Sequence, residues 1–324
     1  MKNRVGLGTF PLTGVFNPIN TTDAENLVKK FIDLGGYYFD TAPLYGNGEI
    51  EKLLGRALKD IPRQNYYICS KTVKHVDEDG KLFKSGKYED VIKQIDNSLS
   101  RLNMDHIDLL MVHSPDNDVP IEETLRAMED LQKSGKVREL AVSNVDLNEL
   151  KKYNKTGKIK YIQNRFSLIN RSLSAEFEKY LLDNEISLIP YHLLEIGLLT
   201  GIAFENYQLR QGDLREQLHY WNSENQKMIF EWVRNSLSPI AKELGITIGQ
   251  LNMAWALQQK FIDFIVVGTT KSEYLEINLK ANEIKLSEET LNRIEVAYKN
   301  LEKDIKLKYG KTIREFRGLN EKFF

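Results

Sequence analysis

Asp40, Tyr45, Lys71 and His113 bring together a carboxylate, a phenol, an amine and an imidazole, each at or just past the end of a short apolar run. Asp40 closes residues 37–40 and opens Asp40-Thr41-Ala42-Pro43-Leu44-Tyr45-Gly46, Lys71 closes residues 66–71, and His113 closes residues 108–113. Gathered at one place, these groups suit delivery of a proton to a carbonyl oxygen. A phenol with its ordinary pKa near 10 donates sluggishly at neutral pH, so something must adjust it. A lysine beside it lowers that pKa, a carboxylate keeps the lysine charged and oriented, and an imidazole hydrogen-bonds the carbonyl and fixes its approach. Each residue alone has a plainer use: Tyr45 is one of 15 tyrosines, His113 one of five histidines, and an Asp-Thr pair at a strand end commonly caps a turn. Their recurrence at successive strand ends requires a fold that brings strand ends together.

The elements that must do so alternate. Runs of β character fall at residues 5–8, 37–40, 66–71, 108–113, 139–143, 161–164, 187–191 and 263–268. Between them Ala24, Leu27, Val28, Phe31 and Ile32 share one helical face, behind a capping-box pattern Thr22-x-x-Glu25 and ahead of Gly35. Similar helical patterns occupy residues 49–59, 88–102, 121–134, 147–153 and 174–184. Strand and helix in strict alternation predict a parallel sheet, and eight units are the number that closes an α/β barrel. An open doubly wound sheet is the competitor. Gly6 and Gly8 lack the third glycine and the immediate helix of a dinucleotide fingerprint, so the barrel is favoured. In such a barrel the functional face lies at the C-terminal ends of the strands, where Asp40, Lys71, His113, Ser143-Asn144, Gln163-Asn164, Tyr191 and Gly268-Thr269 would converge.

Composition sets outer bounds. The chain has 324 residues, 41% hydrophobic and 28% charged, with no Pro/Gly/Ser-rich or charge-run linker, so one barrel domain over 1–324 is expected. A formal charge of −1 gives no electrostatic footprint for nucleic acid, and no long apolar run suggests a membrane partner or an export signal; the expectation is a cytoplasmic protein. The single cysteine, Cys69, excludes an intrachain disulfide and a cysteine-based metal cluster and reads as a small buried side chain. Nothing in the chain indicates an oligomeric state.

Gly6-Leu7-Gly8-Thr9-Phe10, Asp40-Thr41-Ala42-x-x-Tyr45-Gly46, Glu51-x-x-Leu54-Gly55, Leu99-x-Arg101-Leu102-x-x-Asp105-x-Ile107-Asp108, Gly135-Lys136-Val137-Arg138 and Gln163-Asn164-x-x-Ser167-Leu168-x-Asn170-Arg171 carry a resemblance in order and spacing. With Gly197-Leu198-Leu199-Thr200-Gly201 and Gly268-Thr269-Thr270-Lys271-Ser272, the chain resembles the aldo-keto reductase family from residue 5 to about 298. The resemblance implies a (β/α)8 TIM barrel and carbonyl reduction by a nicotinamide cofactor. It implies Tyr45 as general acid or base, Lys71 and Asp40 as its tuning pair, and His113 as the orienter of the carbonyl. It further implies cofactor contacts from Gly8, Thr9, Phe10, Ser143, Asn144, Gln163, Tyr191, Leu193, Gly197, Leu199, Gly268, Thr270, Lys271 and Asn278. Ser143, Asn144 and Gln163 offer the donors and acceptors that a carboxamide needs, and Tyr191 offers an aromatic platform for the nicotinamide ring.

Departures fall on the cofactor side. Where the family often reads Tyr-Ser-Pro-Leu this chain has Tyr191-His192-Leu193-Leu194, and His192 is either an extra donor to phosphate or a polar residue at a tolerant position. Tyr274 and Ile277 stand where Arg or Gln and Glu are frequent. Lys271 still offers a point charge to a 2'-phosphate, and a helix starting near it would aim backbone N–H groups at phosphate. NADP(H) is therefore favoured and NAD(H) possible. Residues 202–225 form a long irregular stretch read as a lid, with Arg210 and Arg215 as candidates to close over a pyrophosphate or grip an anionic substrate. Phe16, His75 and Arg215, with Phe10 and Leu12, are candidate substrate contacts, and a carbonyl or sugar-like small molecule is the expected substrate. The segment 301–324, basic with interleaved aromatics, either edges the substrate pocket or packs outside the barrel. Three alternatives stay beside the reductase: a nicotinamide-sensing regulatory subunit with little turnover, an aldose-type dehydrogenase working oxidatively, and a barrel hydrolase using Asp40 as acid or nucleophile.

Overall fold

Short runs of β-branched and aromatic residues, each closed by turn or helix-start chemistry, set the strands in the computed structural model, which describes residues 2–77, 79–201, 209–217, 221 and 223–317. β1 (Val5–Gly8) leads to α1 (Thr21–Asp33), β2 (Tyr38–Asp40) to α2 (Glu49–Leu58), and β3 (Tyr67–Thr72) to a hairpin of β4 (Lys74–Val76) and β5 (Leu82–Lys84) before α3 (Tyr88–Leu102). The alternation continues through β6 (Ile107–Val112), α4 (Ile121–Lys133), β7 (Val137–Ser143), α5 (Leu147–Tyr153), β8 (Ile159–Gln163), α6 (Ala175–Asp183) and β9 (Ser187–Leu188). After β9 come α7 (Ser223–Trp232), α8 (Ser238–Glu243) and α9 (Ile248–Leu257); β10 (Ile265–Val267) is followed by α10 (Glu273–Lys280), α11 (Glu288–Tyr309) and α12 (Ile313–Phe316).

The sheet runs β10-β1-β2-β3-β6-β7-β8-β9 with every pairing parallel. Its two edges meet where Leu188 bridges Ile262 in parallel and the Leu188 N–H donates to Phe261 O at 2.7 Å. The result is a (β/α)8 barrel. Alternation along the strands sorts side chains in two directions: Tyr38, Cys69, Leu109, Met111, Ala141 and Ile189 fill the interior, while Phe39, Ile68, Leu110, Val112, Leu140 and Val142 pack under the helices.

The barrel floor is plugged by its own aromatics. Tyr38 stacks on Phe264 (centroids 5.1 Å, 10°) and on Tyr67 (5.4 Å, 29°), and the Tyr161 hydroxyl donates to Asp263 at 3.4 Å. Gly6 makes room for this: a Cβ there would lie 2.2 Å from the Tyr38 ring. Behind β3, buried Glu51 accepts from Ser70 Oγ at 2.7 Å and from Arg101 Nε at 2.7 Å, tying α2 and α3 to the barrel. Gly55 brings those helices closer still, since a Cβ there would lie 2.6 Å from Leu102 O.

Three local expectations change. The cap of α1 is Asn20, whose side chain accepts from Asp23 N at 2.8 Å, so the helix starts before the expected Thr22 box. The β4–β5 hairpin replaces an expected loop, and α7, α8 and α9 appear where no helix was expected. In α9 all ten residues are buried, so no polar face exists to reveal its period. Next to Pro239 the chain widens into a π-helical turn at Val233–Leu237, as a residue without an N–H and with a bulky ring demands. Of the expected lid, residues 202–208, 218–220 and 222 lie outside the described residues, as do 318–324 of the C-terminal segment. Residues 209–217 lie against the loop after β1: Leu214 N–H donates to Val15 O at 3.0 Å and Arg210 donates to Gly14 O at 3.0 Å and Phe16 O at 3.3 Å.

Candidate active site

Asp40 leaves β2 at the barrel mouth with its backbone fixed from β1: Thr9 N–H and Thr9 Oγ1 both donate to Asp40 O, at 3.0 and 2.8 Å. Its carboxylate is shared. Lys71 Nζ from β3 donates to Oδ1 at 2.6 Å, and Gln163 Nε2 from β8 donates to Oδ2 at 2.8 Å. Lys71 also reaches Thr41 O at 2.9 Å and the Tyr45 hydroxyl at 3.4 Å. Tyr45 lies between Phe10 (5.2 Å) and His113 (6.2 Å, 83°), so phenol, ammonium and imidazole meet although their residues come from three strand ends.

Burial decides the charge states. It would discharge Lys71, which is 1% exposed, but Asp40 and Tyr45 outweigh it and hold the ammonium above its ordinary range. Burial pushes the Tyr45 phenol up to about 12; Lys71 opposes the rise and Asp40 adds to it. The expected lowering by Lys71 is thus overcome by desolvation. Burial, then Lys71 and Lys74, push His113 well below its ordinary value, so its imidazole is neutral near pH 7. Cys69, fully buried beneath, is raised to about 12 by burial and then by Asp40, which makes it an inert thiol.

A second chain of hydrogen bonds continues along the strand ends. Tyr191 OH donates to Asn144 Oδ1 at 2.7 Å, Asn144 Nδ2 donates to His113 O at 2.8 Å and to Ser143 Oγ at 3.1 Å, and Ser143 Oγ donates to Gln163 O at 2.7 Å. Asn144 itself has a left-handed backbone (φ 60), which an asparagine tolerates. Tyr191, Asn144, Ser143 and Gln163 therefore form one connected wall from the tetrad outward.

That wall bounds a cavity of about 500 Å³ running from His113 and Tyr45 to Asn278. Gly8, Phe10, Phe16, Asp40, Ser143, Asn144, Gln163, Tyr191, Leu193, Gly197, Arg215, Gly268, Thr270 and Lys271 also line it. Lys71 stands behind Tyr45 rather than on the surface. Three expected contacts sit elsewhere: Thr9 is spent on Asp40, Leu199 is fully buried in the core, and His75 stacks on Phe83 in the β4–β5 hairpin (5.1 Å) with Nε2 3.2 Å from Ser85 O. Leu12 is likewise in the core. Arg215 has its guanidinium engaged by Asp213, Nε to Oδ1 at 2.9 Å and Nη2 to Oδ2 at 2.6 Å. Lining residues absent from the expectations include Asn17, Leu44, Trp221, Thr247 and Gly249. Thr247 had a legible signal, a capping box Thr247-x-x-Gln250 that starts α9 with its N-terminus at the cavity.

The cavity suits a dinucleotide along its whole length. Amides and hydroxyls lie at the tetrad end, His192 Nδ1 is buried without a hydrogen-bond partner among the described residues, and at the far end Lys271 is 59% exposed beside the start of α10. Burial, then Arg165, holds His192 down at about 3, so it is a neutral ring facing the cavity. Among the described residues no group of His, Cys, Asp and Glu is placed to hold a metal ion.

A parallel barrel with a Lys-Asp-Tyr-His cluster at its mouth defines a class, and comparison with known proteins supplies the family. The model of the aldo/keto reductase family matches residues 4–299, and the chain belongs to that family. It is 31% identical over 276 residues to aldo-keto reductase YhdN of Bacillus subtilis (strain 168), covering 85% of this chain and 83% of that one. It is 29% identical over 301 residues to the NADH-specific methylglyoxal reductase of Escherichia coli (strain K12), covering 88% and 91%. The glycerol dehydrogenase AKR11B4 from Gluconobacter oxydans shares the fold at a TM-score of 0.84 with 24% identity, over 99% of this chain and 95% of that one.

Proposed function

We propose that this aldo-keto reductase interconverts an aldehyde, ketone or sugar-like carbonyl and its alcohol, with Tyr45 as the general acid and base. The observation that carries the reading is the position of Lys71 Nζ, between Asp40 Oδ1 at 2.6 Å and the Tyr45 hydroxyl at 3.4 Å, with Tyr45 and His113 both on the cavity wall. A bound reduced nicotinamide would supply the hydride. Tyr45, a protonated phenol at neutral pH, gives its proton to the oxygen on which charge develops. The phenolate left behind lies against a fixed ammonium, which is where Lys71 acts: it stabilises the charge formed during the step. A neutral His113 donates one N–H to the same oxygen and orients it. In the oxidative direction Tyr45 must first lose its proton, so alcohol oxidation rises with pH towards about 12 while reduction falls over the same range.

Asn144, Gln163 and Ser143 would hold the carboxamide, Tyr191 the ring, the segment from Leu193 to Gly197 the pyrophosphate, and Lys271 with Asn278 the adenosine end. NADP(H) is favoured on Lys271; the NADH-specific name of the Escherichia coli relative keeps NAD(H) as the alternative. Phe10, Phe16, Leu44 and Trp221 give the substrate end an apolar body, and Asp213 already meets the charge of Arg215. Together they favour uncharged carbonyls.

The test is loss of absorbance from reduced cofactor across aldehydes, ketones and aldoses with both nucleotides. Substrate-dependent oxidation that vanishes in Tyr45→Phe while nucleotide binding persists supports the reading. Wild-type turnover in that variant contradicts the role of Tyr45, tight binding without turnover in the parent favours the sensing subunit, and nicotinamide-independent hydrolysis favours the hydrolase. Equal affinities for NADPH and NADH, unchanged in Lys271→Met, contradict a 2'-phosphate contact.

A further inference from the structure

The wall of the cavity that faces the proposed pyrophosphate is built from backbone that side chains other than glycine seldom adopt. His192 (φ 55), Glu195 (φ 48), Ile196 (φ 54) and Gly197 (φ 103) all take left-handed conformations within one short segment. Left-handed backbone is disfavoured at each non-glycine residue there, so the surroundings must over-determine the shape. Three of the four line the cavity: His192, Ile196 and Gly197. Glu195 does not. It points the opposite way, fully buried, into a charged cluster beneath the segment.

In that cluster Glu195 Oε2 accepts from Arg165 Nη2 at 2.8 Å and lies 3.0 Å from Arg317 Nη2, while Oε1 accepts from Ser167 Oγ. Arg165 and Ser167 belong to the stretch after β8. Arg317 follows α12, whose short turn is seated by Ile313 and Phe316 in the core, and the guanidinium side chain is 0% exposed. Burial would raise the Glu195 carboxyl, but Arg317 and then Arg165 outweigh it and hold it at about 2. A buried carboxylate flanked by two guanidiniums is costly to break from either side, because removing one partner leaves charge in a dry site. The cluster therefore joins three parts of the chain far apart in sequence, and its carboxylate belongs to the residue preceding the cavity-lining pair Ile196-Gly197.

We propose that Arg317 is a positioning residue for the nucleotide: acting through Glu195, it locks the left-handed segment 192–197 in the shape that receives the dinucleotide, so the C-terminal end of the helical layer governs how tightly the cofactor is held. The inference rests on the cofactor-binding reading given above. Among the described residues 301–317 none lines the cavity, and Arg317 packs beneath its cofactor wall. Arg317 touches neither tetrad nor carbonyl, so its loss should alter nucleotide affinity and leave the hydride step intact.

The experiment compares the parent with Arg317→Lys, Arg317→Met and Glu195→Gln. Three readouts are taken: the dissociation constant and dissociation rate of NADPH, hydride transfer in a single turnover at saturating nucleotide, and amide hydrogen exchange of residues 192–201 without nucleotide. Arg317→Met is expected to weaken NADPH binding by about tenfold or more through faster release, with single-turnover transfer within about twofold of the parent. Arg317→Lys should recover part of that affinity, because it restores the charge but not the planar fork. Exchange across 192–201 should speed in Arg317→Met and Glu195→Gln. Unchanged affinity and unchanged exchange in the folded variants overturn the proposal, as does a loss confined to the hydride step. If Arg317→Met does not fold, Arg317→Lys and Glu195→Gln decide by the same measurements. A parent that binds no nicotinamide nucleotide refutes the proposed function, and exchange across 192–201 still decides the lock.

Discussion

At the residue scale, burial at the barrel mouth sets the charge states of Tyr45 and His113, whose places at or just past strand ends were legible but whose enclosure was not. Nearness to Lys71 suggested a lowered phenol; enclosure, which no spacing reveals, raises it to about 12. Lys71→Met should therefore keep nucleotide binding yet reduce carbonyl turnover by roughly 10²–10³-fold, the loss expected when a fixed charge no longer meets the developing phenolate. Steady-state rates beside fluorescence binding constants check this. Lys74 gives an independent residue-scale prediction. It is 2% exposed, its Nζ has no hydrogen-bond partner among the described residues, and burial, then Lys84 and Lys71, lower it from 10.5 to about 8. A depressed folded pKa means the unfolded state binds more protons between about 8 and 10.5, so this group's penalty is full below 8 and fades as pH rises. Lys74→Met should stabilise the protein by about 1–3 kcal/mol at pH 7, with a smaller gain at pH 10. Urea unfolding at the two pH values measures both; a gain that grows with pH contradicts the assignment.

At the element scale, periodicity succeeded where one face meets solvent and failed where none does. α1 and α3 alternate buried and exposed residues and were read directly; α9, buried on every side, was not. The β4–β5 hairpin escaped for the opposite reason, since Leu82, Phe83 and Lys84 are all exposed and no core face patterns them. Motifs that looked only like family likeness also acquire causes. Glu51, Arg101 and Ser70 form a buried ionic tie, and Gly55 permits contact with Leu102 O. Gly55→Ala should cost about 1–3 kcal/mol by forcing α2 from α3. Chemical denaturation reads that cost directly, and an unchanged midpoint would show that the helices separate freely.

At the scale of the whole molecule, eight parallel strands turn four distant residues into one site, and the length and alternation of the sequence sufficed to anticipate that closure. What fills the floor was not anticipated, a stack of Tyr38, Tyr67 and Phe264, nor was the buried ion pair of Arg317 with Glu195. The cavity crosses from β1 to α10, so an occupant that spans it should stabilise the barrel as a unit. At a hundredfold excess over its dissociation constant, the bound nucleotide should add about 2.7 kcal/mol, seen as a thermal midpoint that climbs with nucleotide concentration.

The central claim is that Tyr45 protonates a carbonyl oxygen while hydride arrives from a nicotinamide. The direct measurement follows deuterium from C4-deuterated NADPH or NADH into the product alcohol, in the parent and in Tyr45→Phe. The account predicts label on the former carbonyl carbon with the parent, and a single-turnover rate lower by about 10²–10⁴-fold with the variant at saturating nucleotide. Product without label, or label transferred at the parental rate by Tyr45→Phe, would contradict it.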